Sequence, residues 1–361
     1  MKTHENKKTR RGLAVALAAM AVAAMVALSG CGGSQGTSSS STDDKYKDLD
    51  PVTLVLADAS SEGSANNQWG LKVAEKVSAI TGGKLTVDYH GNSELGGDVD
   101  LYRQVQSGDI AMVSGQPAPA VSFIPELACF DLPMAFATQS AEQIDTVLNG
   151  DNEFSQSLQA AFEDKGFHSL GWLQAATYRE TTSNKELKTL ADFKGFQIRT
   201  MENANHMAFW KAVGAEPTPL AWSEVYFALQ NGTVDGQENA TDTCVGASIQ
   251  EVQKYLCRTH HILYANMMTI NKDVWAGLDP AYQEALTQAI SEARAEIAPT
   301  LATMDTDNAK TMTDAGMTEI TYDDQFFTDF KNTKGVQDVY ASISKDTNGL
   351  SDKMLAAIDA A

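Results

Sequence analysis

The chain is 361 residues long, 43% hydrophobic and 20% charged, and 47 acidic side chains against 27 basic ones give a formal net charge of −20. The first thirty residues hold five basic side chains and Glu5, a net of +4, so the rest of the chain stands at −24 (−20 less +4). A body that acidic does not draw nucleic acid or anionic lipid through its general field, and an anionic ligand must be drawn by a few local arginines.

Lys2, Lys7, Lys8, Arg10 and Arg11 precede an apolar or small run from Gly12 to Leu28. The run has signal-peptide length and is short for a bilayer span, so 1–30 reads as a lipoprotein signal peptide. It ends in Leu28-Ser29-Gly30-Cys31, which resembles the bacterial lipobox and makes Cys31 the expected lipidation site and membrane anchor. Beyond it, Ser38–Ser41 flanked by Thr37 and Thr42 has nothing to bury, and 31–50 is expected to be a flexible tether. Cys129, Cys244 and Cys257 remain, an odd number without C-x-x-C spacing, which argues against a disulfide framework or a zinc site. Buried free thiols are expected, with a Cys244–Cys257 bridge as the alternative.

The body begins with a strand at Val52–Ala57. Ser64 is placed to cap a helix with Trp69, Val73, Val77 and Ile80 on one face, ended by Gly82-Gly83. Leu85, Val87 and Tyr89 alternate as a strand does. Leu101, Tyr102 and Val105 mark a helix stopped by Gly108, and Ile110–Val113 reads as a strand. Ser140-Ala141-Glu142-Gln143 has the form of a capping box. Phe154, Leu158, Ala161 and Phe162 make an apolar stripe that ends at Gly166, before a strand at Phe167–Leu173. A strand at Phe196–Thr200 and helices at Ala204–Val213 and Ser223–Gln230 follow. From Pro280 a helical pattern runs through Tyr282, Leu286, Ile290, Ala293, Ile297, Leu301 and Met304, with a kink expected at Pro299. Strand–helix alternation predicts mostly parallel sheets with helices on both faces, and a body of this length predicts two lobes. In such folds ligands bind beyond the carboxyl ends of strands and between lobes.

No phosphate-binding loop, dinucleotide fingerprint or nucleophile elbow is present. His260 and His261 are adjacent, so on a strand they face opposite sides and cannot share a metal. His90, His168 and His206 stand alone. The chain offers no catalytic set, no metal site and no cofactor motif, and is not expected to be an enzyme.

Longer segments carry a resemblance. They are Thr181-Thr182-Ser183-Asn184, Leu190-Ala191-Asp192-Phe193-Lys194-Gly195-Phe196-Gln197-Ile198-Arg199 and Gly214-Ala215-Glu216-Pro217-Thr218-Pro219. Ser223–Gln230, Val234-Asp235-Gly236-Gln237-Glu238-Asn239 and Glu251–Leu256 continue them, with Asp131-Leu132-Pro133 and Glu94-Leu95-Gly96-Gly97 in the N-terminal half. In this order they resemble the solute-binding proteins of TRAP (tripartite ATP-independent periplasmic) transporters, from about Leu54 to Pro280. The resemblance implies an α/β, two-lobed periplasmic-binding-protein-like fold, with a ligand cleft between lobes and a long C-terminal helix spanning them. Lobe I is expected at 51–176 and 265–304, lobe II at 177–264 and 305–361.

The same resemblance implies roles. Arg199, at the end of its strand, would hold a ligand carboxylate; its planar fork suits both oxygens, and a solvated edge-strand arginine is the alternative. Arg179 would be a second ligand contact, or else a salt-bridge partner of Glu180 or another acid. Asn239 would donate its amide to the same carboxylate, or serve a turn. Trp222 stands where the family commonly has phenylalanine and either lines the ligand or packs in the core. On lobe I, the Asp58–Glu62 loop, Asp98 and the Ser114-Gly115-Gln116 turn are expected to face the cleft. Asp98 and Gln116 suit ligand hydroxyls, so a sugar acid is favoured over a dicarboxylate. The expected partners are a small organic acid and the integral membrane subunits of the transporter. A binding lipoprotein of an ATP-driven importer, a sensory binding module and a two-lobed hydrolase or lyase are the rival readings.

Overall fold

The computed structural model describes residues 43–361 other than Thr138. The expected signal segment, Cys31 and the expected tether as far as residue 42 lie outside the described residues. Among the described residues no helix is long and apolar enough to cross a membrane.

The first described element is α1 (Asp43–Tyr46), which falls within the stretch 31–50 expected to be a tether. The cause is Tyr46, which is buried and stacked on Tyr282 with ring centroids 6.1 Å apart. Lys45 Nζ reinforces the contact at 2.7 Å from Glu284. Next come β1 (Val52–Ala57), α2 (Ala65–Ile80) and β2 (Leu85–His90). Ser64 caps α2 by accepting from the Asn67 amide, and Trp69, Val73 and Val77 are fully buried, as the spacing requires. In α3 (Asp98–Ser107) the chain stops at Gly108, which takes a left-handed φ of 83°. The third strand, β3 (Met112–Gly115), starts two residues later than expected, because it is Met112 to Gly115 that pair with another strand.

After α4 (Pro117–Ala120) come α5 (Ala141–Asn149), with its capping box formed, and α6 (Glu153–Asp164). β4 (Phe167–Ser183) is seventeen residues long, ten beyond the strand legible in sequence. β5 (Gln197–Thr200), α7 (Ala204–Ala212) and α8 (Trp222–Gln230) lie where predicted, and β6 (Glu216–Pro219), β7 (Gly236–Asn239) and α9 (Thr241–Gly246), which the sequence did not mark, alternate with them. β8 (Tyr255–Asn271) is a second seventeen-residue strand. The chain ends with α10 (Lys272–Gly277), α11 (Pro280–Asp314), β9 (Thr318–Ile320), α12 (Asp324–Asn332), α13 (Lys334–Asp346) and α14 (Leu350–Ala360).

The strands join in the order β2-β1-β3-β8-β4-β7-β5-β6, with β9 on β8. The sheet is mixed: most of its strand pairs are parallel, as expected, but the long central pairs are antiparallel. Pairs β3–β8, β4–β8 and β4–β7 are antiparallel, while β1–β2, β1–β3, β5–β6, β5–β7 and β8–β9 are parallel. The reason lies in β4 and β8, which run past each other and carry the chain between lobes. One end of β8 (Met112 partner Ile270) holds lobe I, and its other end (Tyr255 to Cys257) holds β9 in lobe II. Between them the β4–β8 register slips at Gln174/Tyr178. The molecule is thus the expected two-lobed α/β binding-protein fold. α11 spans it, passing Pro299 as one 35-residue helix. Its early residues Leu286 and Ile290 pack with Trp69 and Val73 in lobe I, and its late residues Ala309 and Met312 pack with Val225 and Leu256 in lobe II.

The tail does not stay with lobe II as the partition 305–361 supposed. α12 places Phe326 and Phe330 near Phe193 and Trp210, but α14 returns to α5 and α6, where Lys353 Nζ lies 3.0 Å from Glu153. Cys129, Cys244 and Cys257 are free and buried.

Candidate ligand-binding site

Strands β4, β7 and β5 lie side by side, and bring Arg179 in β4 together with Glu238 and Asn239 at the end of β7 and Arg199 near the end of β5. Arg199 is 2% exposed. Its Nε and Nη2 donate to the Leu220 carbonyl oxygen at 2.9 and 2.5 Å, which fixes the guanidinium plane. Its Nη1 is buried and has no hydrogen-bond partner among the described residues. A buried guanidinium nitrogen left unmet costs stability unless something else meets it. The Trp222 ring lies 5.5 Å from the Arg199 carbon, a cation–π distance. Burial pulls the Arg199 pKa down to about 10 against the pull of Glu238, so it remains a cation at neutral pH.

Arg179 is equally buried but differently employed. Its Nε and Nη2 hold the Glu238 carboxylate, Nη2 also meets the Glu238 carbonyl at 2.7 Å, and Nη1 holds Gln116 Oε1. The acid is therefore Glu238, not the neighbouring Glu180, which faces His260 and Arg258. Burial alone would raise the Glu238 carboxyl, yet the Arg179 charge and the hydrogen bonds from His261 and Arg179 hold it well below the usual carboxylate range. Burial also lowers the His261 pKa to about 4, so the imidazole is neutral beside Glu238 at 3.0 Å. Asn239 Oδ1 accepts from the Ala240 amide at 3.0 Å, which leaves the nitrogen of its amide as the donor end.

Across the cleft, Trp222 Nε1 donates to Ser61 Oγ at 3.0 Å, a bond from lobe II to the loop after β1. Gln116 is gripped by Arg179, and its carbonyl accepts from Tyr102 at 3.2 Å. Asp98 is half-buried at the first position of α3. Burial raises its carboxyl pKa, opposed by the charges of Arg199 and Arg179, which places both arginines within its electrostatic reach. Asp58 departs from the expectation of a cleft-facing loop acid. It is 0% exposed, and its oxygens accept from the Ser60 amide at 2.8 Å and from Tyr89 at 2.5 Å. Its work is to hold the loop that carries Ser61.

Sequence reasoning missed Glu238, whose partner lies 59 residues away, and the Leu220 carbonyl that aims Arg199. It also missed buried Asp131, which accepts from Asn203 and Asn205 at 2.9 Å each and sits 3.1 Å from His206. His260 and His261 face different carboxylates, as adjacent strand residues should. A groove of about 600 Å³ lined by Asn149, Trp172 and Arg294 contains none of the cleft residues, so size alone does not mark the site.

The family model described as bacterial extracellular solute-binding protein, family 7, matches residues 56–346. A solute-binding protein of Verminephrobacter eiseniae is 34% identical over 272 residues, 74% of this chain and 78% of that protein. A sugar acid binding protein from Advenella mimigardefordensis, solved with galactonate, superposes with a TM-score of 0.79 at 25% identity, over 86% of this chain and 99% of that one. A TRAP periplasmic solute binding protein from Roseobacter denitrificans, solved with L-galactonate, gives a TM-score of 0.76 at 27% identity, over 84% and 99%. Together with the two lobes and the strand-end arginines, these matches place the chain in bacterial extracellular solute-binding protein family 7, as an extracytoplasmic TRAP-transporter binding protein and not an enzyme.

Proposed function

We propose that the chain captures a small organic acid by docking its carboxylate on Arg199, and passes the closed complex to the membrane subunits of a TRAP transporter. The observation that carries this is the buried, unpartnered Arg199 Nη1 beside Trp222. Leu220 takes one edge of the guanidinium, and the end of the fork is left to face a carboxylate. Asn239 adds a neutral donor, while Arg179 positions Gln116. Sugar acids are the leading ligands, because similar proteins were solved with galactonate. Lysine at position 199 keeps the charge and loses the fork. In calorimetry with galactonate, Arg199→Lys should weaken binding roughly thirtyfold or more, at the low end of the 2–5 kcal/mol for a broken buried charge pair. A variant that binds within threefold of the wild type would remove Arg199 from the role.

Ligand closes the lobes by hinge motion, with 51–176 and 265–304 moving against 177–264 and 305–346, and α14 riding on lobe I. Small-angle scattering should show a smaller radius with galactonate; an unchanged radius would reject closure. Cys31 is lipidated and anchors the chain, as the lipobox after an apolar run suggests. Two acyl chains hold stably where one does not, so Cys31→Ser should move the protein from the membrane pellet to the soluble fraction. Retention in the pellet would end that reading.

A further inference from the structure

We infer that Asp98 makes the cleft a receptor for hydroxylated monocarboxylates that turns dicarboxylates away. This rests on Arg199 as the carboxylate anchor.

The balance of charge at the cleft leads there. Two arginines face it, but Arg179 is already matched by Glu238, so among the described residues one cleft cation, Arg199, is left for a ligand. A ligand carboxylate on Arg199 uses that cation up. Asp98 then remains on the opposite wall, with Glu202 adding a second negative charge within reach of both Arg199 and Asp98. A second carboxylate on the ligand would meet Asp98 with no cation to offset either. Like charges set against each other in a closed site repel, and the low dielectric of a closed cleft strengthens the repulsion.

The geometry also says what Asp98 wants. No side chain donates to its carboxylate among the described residues, although burial penalises the bare charge. The position is reserved by its neighbours. A Cβ on Gly115 would stand 2.8 Å from the Tyr102 hydroxyl and 3.6 Å from Asp98 Oδ1, so a side chain there would push on Tyr102 and touch the acid at ordinary contact distance. Gly97, just before Asp98, faces the Ala221 methyl across the cleft, next to Trp222. Asp98 therefore stands opposite the Arg199–Trp222 pair, an acceptor awaiting a donor. A ligand hydroxyl supplies one, and a hydrogen bond to an ionised acceptor is stronger than one between neutral groups. Carboxylate at one end, hydroxyl donors further along, and no second acid describe an aldonate.

The test uses acid pairs that differ only at the far carbon: galactonate with galactarate, gluconate with glucarate, erythronate with meso-tartrate. Calorimetry at pH 8 on the full mature protein should find the monoacid at least about tenfold tighter in each pair that binds. In Asp98→Asn, checked for folding by its melt, the ratio should fall below about threefold through a gain for the diacid. A diacid that matches its monoacid in the wild type would overturn the inference while leaving the Arg199 anchor standing. So would a ratio unchanged by Asp98→Asn. If none of the acids binds, the anchor fails and the inference with it.

Discussion

The two faces of the cleft are built from different materials. On lobe II, Arg179 inside β4 and Asn239 and Arg199 at or next to the ends of β7 and β5 stand on three adjacent strands, each held by a backbone or side-chain partner two strands or fewer away. On lobe I, Ser61, Asp98 and Gln116 stand on a loop, a helix start and a turn, and two of them are held by bonds from the other lobe. Strand ends fix side chains tightly and alike in every conformation of the lobe; loops take their final position when the lobes meet. The strand face is thus suited to give affinity, and the loop face to choose among ligands after closure.

That contrast can be broken most severely at the buried pair beneath the strand face. Glu238→Ala leaves Arg179 charged and unmatched inside the protein, which should cost about 3–5 kcal/mol of stability by urea denaturation. A loss below about 1 kcal/mol would show that the pair does not hold the strand ends. A second lever acts on the loop face through Asp58. Burial raises its carboxyl pKa to about 7, so below pH 4 folded and unfolded chains are both protonated there and nothing is lost. As pH rises from 4 to 7 the unfolded chain ionises first, and stability falls by an amount on the order of a few kcal/mol, then levels off. Asp58→Asn should flatten that slope between pH 4 and 7; equal slopes in the two proteins would mean the carboxyl is not strained. The smallest effect lies where the faces touch. Trp222→Phe keeps an aromatic ring over Arg199 but removes the donor to Ser61, so stopped-flow release of galactonate should quicken by roughly two- to tenfold. Unchanged release would mean the bond does not hold the lobes together.

Much of this was legible in sequence, and the parts that were not share a cause. Caps and stripes placed α2, α3, α5 and α6 because Ser64, Gly108, Ser140 and the Phe154–Phe162 stripe act locally. The short strand β5, with Arg199 near its end, was legible for the same reason. β8 was not. It is buried along nearly its whole length, so it lacks the in–out alternation that marks a strand with one wet face. β4 was read only as far as Leu173, and its register against β8 slips between Ser169 and Gly171, between Gln174 and Tyr178 and between Arg179 and Thr181. Missing those strands also hid the pairing that sets Glu180 opposite Asn239 and brings Glu238 to Arg179. Arg179 could be named as a site residue, but whether its fork was free could not be read without its partner.

The placement of β8 also governs how the chain can assemble. β3 pairs with Thr269 and Ile270, more than 150 residues downstream (Val113 with Thr269), and the core under Trp69 and Val73 is closed by Leu286 and Ile290. Nothing in the first lobe is complete, therefore, until about four-fifths of the polypeptide has been made. Until then β3 presents a bare edge and α2 a greasy side, and contacts of such long reach form slowly. A nascent chain of this design stays loose for most of its synthesis, and its native shape is locked from the far end backwards.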